Sequence, residues 1–153
     1  MKTPVLAPCL TLCLALCLAL LTAMPAAAAS AEDVYERVET ILGDAKGLDP
    51  FLENVRRALV TGTGEDVAAL AAFPLPVNNN GTFHSVETAE EFIAAYPRLV
   101  SGETKAIVAE AAYEDLLVTD EGVAIGDGAV WLSPVCEDNA CAKSYWAIVS
   151  INN

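Results

Sequence analysis

The first candidate for acid–base chemistry in this sequence is Asp127, the acid of a Gly-Asp-Gly motif. If residues 123–133 form one unbroken strand, Asp127 shares a face with Ile125 and Trp131. Such apolar neighbours disfavour the charged carboxylate, which can then act as a general acid or base, and the glycines let a ligand approach the backbone. The alternative, which we favour, is a turn or bulge that leaves Asp127 in water.

His84 is the second candidate, and it is the only histidine in the chain. This count excludes a metal site built on several histidines, and it excludes a second histidine as a partner base. His84 is a candidate general base if a carboxylate orients it. The alternative, which we favour, is a half-exposed hairpin histidine on the same face as Thr82 and Val86.

Aromatic residues complete the candidate ligand-binding set. Trp131, Tyr96 and Tyr113 are candidates, together with Asp127, for lining the mouth of a cavity, and Trp146 is a further aromatic of this kind. At these spacings, aromatic residues more often belong to the hydrophobic core. The sequence shows no Ser-His-Asp order, phosphate-binding loop or paired metal motif, so we predict no metal site and no cofactor.

Residues 1–29 have the pattern of a secretory signal peptide. Lys2 precedes an uncharged stretch that runs to Ala31. Pro25 breaks any helix within it, and a cluster of small residues follows. These small residues place the cleavage site after Ala29, with Ala31 as the other candidate. The alternative is a retained membrane anchor, which the proline and the alanine cluster disfavour. We therefore predict cleavage, and no membrane contact after it.

The remaining residues, 30–153, are predicted to form a single domain in the periplasm or outside the cell. Lys2 is the only base in the leader and all 21 acids follow it, so this domain carries 7 bases and a formal charge of −14. That charge argues against nucleic acid or an anionic membrane as a partner. It also predicts that any protein partner is basic.

Cys136 and Cys141 are the two cysteines outside the leader. An even number of cysteines in an exported chain predicts one disulfide, here closed over four turn-forming residues. The rival interpretation is a reactive or metal-binding C-x4-C pair. No other soft ligand lies near the pair in the sequence, so we favour the disulfide.

Apolar residues at helical spacing predict short amphipathic helices. The first covers residues 31–43, and the second follows Asp49-Pro50, interpreted as an N-cap and a first helical residue, and ends at Gly62. Further helices are predicted over residues 65–72, from Thr88 to an interruption at Pro97, and over residues 104–112.

Strand signals form two groups. Residues 73–77 contain two prolines and predict an edge strand, and an Asn-Gly turn joins it to a hairpin partner at residues 82–86. Three further strands are expected at residues 113–119, 123–133 and 143–152. The order of helices, hairpin, helices and three-stranded meander predicts the α+β class.

Several motifs occur in a recognisable order over residues 50–153, about two-thirds of the chain. They are residues 73–77 before the Asn-Gly turn, Glu91-Phe92 with Tyr96, residues 116–118, residues 122–128 with Trp131, and residues 148–152. In these motifs the chain resembles the nuclear-transport-factor-2-like (cystatin-like α+β) superfamily, and within it a group of small exported bacterial proteins of unassigned function. The pair Cys136 and Cys141, which follows the tryptophan strand, also fits this resemblance.

The resemblance implies a curved antiparallel sheet wrapped around N-terminal and middle helices, with a conical cavity at the open end. That cavity hosts enzymes such as ketosteroid isomerase and scytalone dehydratase, and also non-catalytic ligand-binding, dimerising and immunity domains. We expect an exported, non-enzymatic domain that binds a small ligand or a basic envelope protein. The alternatives are an isomerase- or dehydratase-type enzyme using Asp127 or His84 as its base, and a structural homodimer. Fold class alone does not separate them.

Overall fold

The computed structural model describes residues 30–153. The predicted leader at residues 1–29 lies outside the described residues. The helices are α1 (Ala31–Leu42), α2 (Leu48–Thr61), α3 (Gly64–Ala68), α4 (Ala89–Leu99) and α5 (Gly102–Glu110). The strands are β1 (Leu75–Asn79), β2 (Thr82–Val86), β3 (Leu117–Thr119), β4 (Gly122–Ile125), β5 (Val130–Cys136) and β6 (Ser144–Asn152). The predicted α+β class is confirmed.

Capping side chains fix where most of the helices begin. Ser30 and Thr63 each form a capping box with the acid three residues later, at α1 and α3. The predicted N-cap at Asp49 is wrong, because α2 begins at Leu48 after Gly47. Gly47 adopts a left-handed conformation, with φ 81°, and the fully buried Leu48 side chain anchors the first turn in the core.

Two predicted helix ends are also corrected. We expected α3 to reach residue 72, but it ends at Ala68. The residues that follow hydrogen-bond to strand β6 instead, since Ala72 N donates to Ile148 O at 2.9 Å. Thr88 caps α4 as predicted, yet Pro97 does not interrupt that helix. Burial of Tyr96 and Leu99 in the last turn outweighs the loss of the backbone hydrogen bond that Pro97 cannot donate.

The Asn-Gly turn forms as predicted. Asn80 and Gly81 both have positive φ, 49° and 84°, and join β1 to β2 in a two-residue hairpin. The proline-rich segment is not an edge strand, because β1 lies between β2 and β6. It pairs with β6 only at Val77 and Asn78, beyond both prolines, so their missing donors do not weaken that ladder.

Two of the three predicted later strands are shorter than expected. Tyr113–Asp115 forms a 3-10 turn, and only Leu117–Thr119 of the first predicted strand pairs. The strand predicted at residues 123–133 is broken by Gly126, Asp127 and Gly128, whose φ values are 60°, 54° and 94°. Three successive left-handed residues cannot continue an extended strand. The turn that we favoured for Asp127 is the one observed.

The sheet is open, with the strand order β2-β1-β6-β5-β4-β3. It is mixed, so the prediction of an antiparallel sheet is wrong at one pairing: β1 and β6 are parallel. This follows from the path of the chain, because β6 is the last strand of the meander and returns between β1 and β5. Helix α1 contacts β3, α2 contacts β6 and α4 contacts β2.

The predicted disulfide is present between Cys136 and Cys141, whose Cα atoms are 4.8 Å apart. Both cysteines are exposed at the end of the β5–β6 hairpin. Disulfides of this kind persist in oxidising compartments outside the cytosol. Among residues 30–153, no helix has the length and apolar character needed to cross a membrane.

Asn153 joins the sheet to the two middle helices. Its side-chain oxygen accepts hydrogen bonds from Ser101 N at 2.8 Å and from the Thr104 hydroxyl at 2.7 Å. Its amide nitrogen donates to Asn79 Oδ1 at 2.6 Å and to Leu99 O at 3.0 Å. Thr104 is almost completely buried, so these groups have no water to replace a lost partner.

We predict that Asn153→Ala lowers the free energy of unfolding by about 2–3 kcal/mol, because it leaves several buried polar groups without a partner. Urea denaturation followed by circular dichroism measures this change. Asn139→Ala is the matched control, since Asn139 is exposed in the cystine loop, and it should change stability by less than about 0.5 kcal/mol. Equal effects from the two variants would contradict the role given to Asn153.

Candidate functional site

The structure separates the two acid–base candidates. His84 lies exposed on edge strand β2, where it borders a groove with Arg98 and Glu91 of α4. No hydrogen bond joins a carboxylate to His84 within the described part of the chain. Asp127 is exposed in the turn between β4 and β5. The two side chains therefore border different surface depressions.

The turn at Asp127 brings together two of the four predicted ligand-binding residues. Asp127 and Trp131 line a shallow, open depression next to Asn152. Asn152 Nδ2 donates to Gly128 O at 2.6 Å and holds the turn against β6. A side chain at Gly126 would overlap Ile107, so the turn also packs closely on α5. Asp127 faces water there and has no apolar enclosure.

Tyr96 belongs to the hydrophobic core, as the alternative interpretation had it. It is only 8% exposed and its ring lies 5.6 Å from the ring of Phe92. The Lys105 ammonium group sits 4.7 Å from the centre of the Tyr96 ring, within the range of a cation–π contact. Among residues 30–153, its buried hydroxyl has no hydrogen-bond partner.

Tyr113 lines a cavity with a volume of about 290 Å³. We call it the Tyr113 cleft. It lies between α2, α5, the 3-10 turn and the end of β4. Its apolar lining comes mainly from Leu52, Val108, Leu116 and Ile125. Its polar lining comes from Asp49, Glu53, Arg56, Glu114 and the tyrosine itself.

Arg56 holds two walls of the Tyr113 cleft together. Its Nη2 donates to Ala111 O at 2.6 Å and its Nε donates to Val108 O at 3.4 Å, so one guanidinium binds the carbonyl end of α5. Its Nη1 forms an ion pair with Glu53 Oε1 at 3.1 Å. Helix α5 has no basic residue in its own last turn. Arg56 of α2 supplies that positive charge from across the cleft.

The Tyr113 hydroxyl lies in a poorly solvated wall of the cleft. Burial, and secondly the nearby Asp49 carboxylate, raise the pKa of Tyr113 to about 12. The hydroxyl oxygen is buried and makes no hydrogen bond of ordinary geometry with any described residue. A phenol with this pKa holds its proton at neutral pH and is poorly matched to general acid–base catalysis there.

The charges of the Tyr113 cleft do not cancel. Three carboxylates, those of Asp49, Glu53 and Glu114, border it against the single guanidinium of Arg56. Among residues 30–153 the Glu53–Arg56 contact is the only ion pair. Within the same range, no group of three or more His, Cys, Asp or Glu residues is arranged to hold a metal ion.

Sequence reasoning missed Arg56, Asp49 and Glu114 as functional candidates. Arg56 and its partner Val108 are 52 residues apart, and no local pattern pairs them. One weak signal existed: α5 ends without a basic residue, so its last carbonyls need a donor from elsewhere. Asp49 was assigned to a helix cap, a structural role that concealed its position at the cleft.

No family model, curated protein or solved structure shows a significant match to this chain.

We predict that Arg56→Met lowers the free energy of unfolding by about 2–3 kcal/mol, because two carbonyls of α5 lose their donor and Glu53 loses its partner. Arg57→Met is the matched control. Arg57 is the exposed neighbouring arginine and donates only to Asn54 on its own helix, so its loss should cost at most about 0.5 kcal/mol. Chemical denaturation of both variants measures the difference, and similar losses would disprove the bridging role.

Stability should fall at high pH because of Tyr113. A pKa of about 12 in the folded protein lies above the ordinary value of 10.0, so the folded state keeps a proton that the unfolded state loses between these values. The stabilising effect is complete below pH 10 and disappears as the pH rises through about 12. Tyr113→Phe should flatten that part of the stability curve. Ultraviolet titration of the phenolates checks the pKa, and an unchanged curve in the variant would contradict this assignment.

Proposed function

We propose that residues 30–153 are an exported, non-enzymatic binding domain of the nuclear-transport-factor-2-like type. In this proposal the Tyr113 cleft accepts a small ligand or a side chain from a basic protein partner. The observation that carries the proposal is the make-up of the cleft. It combines an apolar lining with a rim of three carboxylates against one guanidinium, and ligand sites in proteins are usually concave, mainly apolar and marked by a few polar groups.

The order of elements supports the family assignment. Helices come first, then a hairpin, two more helices and a run of antiparallel strands, which is the order on which the resemblance was based. The cleft lies where α2 and α5 meet the end of β4 in the sheet. Exposure of the Cys136–Cys141 disulfide supports export, because such a bond is maintained in oxidising compartments.

The positions of the acid–base residues support binding rather than catalysis. His84 and Asp127 are exposed and neither lines the Tyr113 cleft. An isomerase- or dehydratase-type enzyme requires its base beside the bound substrate. The carboxylates that do line the cleft, Asp49 and Glu114, are themselves exposed. Exposed carboxylates at the rim of a cleft attract a positively charged guest.

Electrostatics supports a basic partner. With 7 bases against 21 acids, the domain carries a formal charge of −14, and its described residues form a single ion pair. Most of its carboxylates are therefore available to attract a positively charged surface. Long-range attraction of this kind speeds association and weakens as salt screens the charges.

A second candidate function is a structural homodimer, and Phe83 favours it. This phenylalanine is 75% exposed on β2, whose outer edge is unpaired among the described strands. Edge strands with exposed aromatic residues are sites of strand pairing between chains. Salt distinguishes the two candidates, because two copies of charge −14 repel each other. Added salt should promote self-association of this protein but weaken its binding to a basic partner.

The proposed function is tested by isolating the tagged protein from its own envelope and recording native mass spectra at low and high salt. We expect a bound ligand or partner that is lost at high salt. Ala112→Trp, which fills the cleft, should abolish binding, whereas Ala109→Trp, on the exposed face of α5 outside the cleft, should retain it. Retention by the Ala112 variant would refute the cleft as the site. A dimer that grows with salt and disappears in Phe83→Ser would favour the second candidate.

A further inference from the structure

Resting on the proposed function, we infer that the Tyr113 cleft selects a compact organic cation, a primary ammonium group on a short alkyl chain. A free alkylamine and the side chain of a lysine share this chemistry. The cleft offers such a guest an enclosed volume, charged groups at its rim and an aromatic wall.

The charge of Arg56 is already neutralised within the protein. Its guanidinium pairs with Glu53 and donates to two carbonyls at the end of α5, the negative end of the helix dipole. Asp49 and Glu114 have no basic partner among the described residues. The cleft therefore presents two uncompensated carboxylates to a guest, and an ammonium group is the complementary ligand.

The lining separates a polar end from an apolar one. The carboxylates lie at the rim, while Leu52, Val108 and Ile125 line the interior. An alkyl stem gains by contacting this apolar surface, while its charged head stays beside the carboxylates and water. The Tyr113 ring adds an aromatic surface, to which an ammonium group is attracted.

Size limits the guest to a small molecule or a single side chain. The cleft volume of about 290 Å³ lies at the lower end of the range of ligand cavities. A flat aromatic cofactor or a folded peptide needs more space than this. A butylammonium group, which is also the end of a lysine side chain, fits the volume and the polarity of the cleft.

The test uses the full chain, exported by its host and labelled with ¹³C at tyrosine. The probes are n-butylamine, N-acetyl-lysine methylamide and the neutral N-acetyl-norleucine methylamide, and the readout is the position of the Tyr113 ring resonances. We expect a saturable shift with at least one of the two cations, and at least about tenfold weaker binding of the neutral probe. Tighter binding of the lysine probe points to a protein-borne side chain, and tighter binding of butylamine points to a free amine.

Variants that replace the cleft carboxylates by neutral amides form the second part of this test. The double variant Asp49→Asn with Glu114→Gln should weaken cation binding about tenfold or more. Glu110→Gln removes an exposed acid from α5 outside the cleft and should stay within about twofold of the unaltered protein. Equal affinity for the norleucine probe, or no Tyr113 shift with either cation, would overturn the cation inference. The envelope isolation above tests the proposed function separately, so the failure of one is distinguishable from the failure of the other.

Discussion

The cleft depends on the hydrogen bonds that the Arg56 guanidinium donates to the carbonyl end of α5. A helix of nine residues leaves its last carbonyls unpaired, and α5 has no basic residue in its last turn to satisfy them. Arg56 supplies the donors from α2 and fixes the separation of the two helices. The ion pair of Arg56 with Glu53 compensates the guanidinium charge, so Asp49 and Glu114 determine the net charge of the cleft.

The sheet provides the frame that holds these helices. Strand β6 lies between β1 and β5, with Ile148 and Ile151 fully buried. Beyond it, Asn153 bonds both to the β1 end and to the start of α5 through Ser101 and Thr104. Helix α5 is thus fixed at its start by Asn153 and at its end by Arg56. A cavity wall anchored at both ends is preorganised, which lowers the entropy lost on binding.

Local signals predicted local structure well, as the Asn80-Gly81 hairpin, the Thr88 cap and the disulfide show. The errors arose where tertiary contacts overrode local preference: Pro97 stays inside a helix because buried neighbours hold the turn. The parallel pairing of β1 with β6 joins residues more than seventy positions apart. The cleft was not predictable for the same reason, since Arg56 and Ala111 meet only in the folded chain.

The central claim is that the cleft beside Tyr113, and not either exposed depression, is where a cationic guest lies. Intermolecular nuclear Overhauser effects between N-acetyl-lysine methylamide and the protein test this most directly. The account predicts contacts from the lysine ε-methylene protons to the Tyr113 ring and to the methyl groups of Val108. Contacts instead to Phe83 beside His84, or to Trp131 beside Asp127, would place the guest elsewhere and contradict the account.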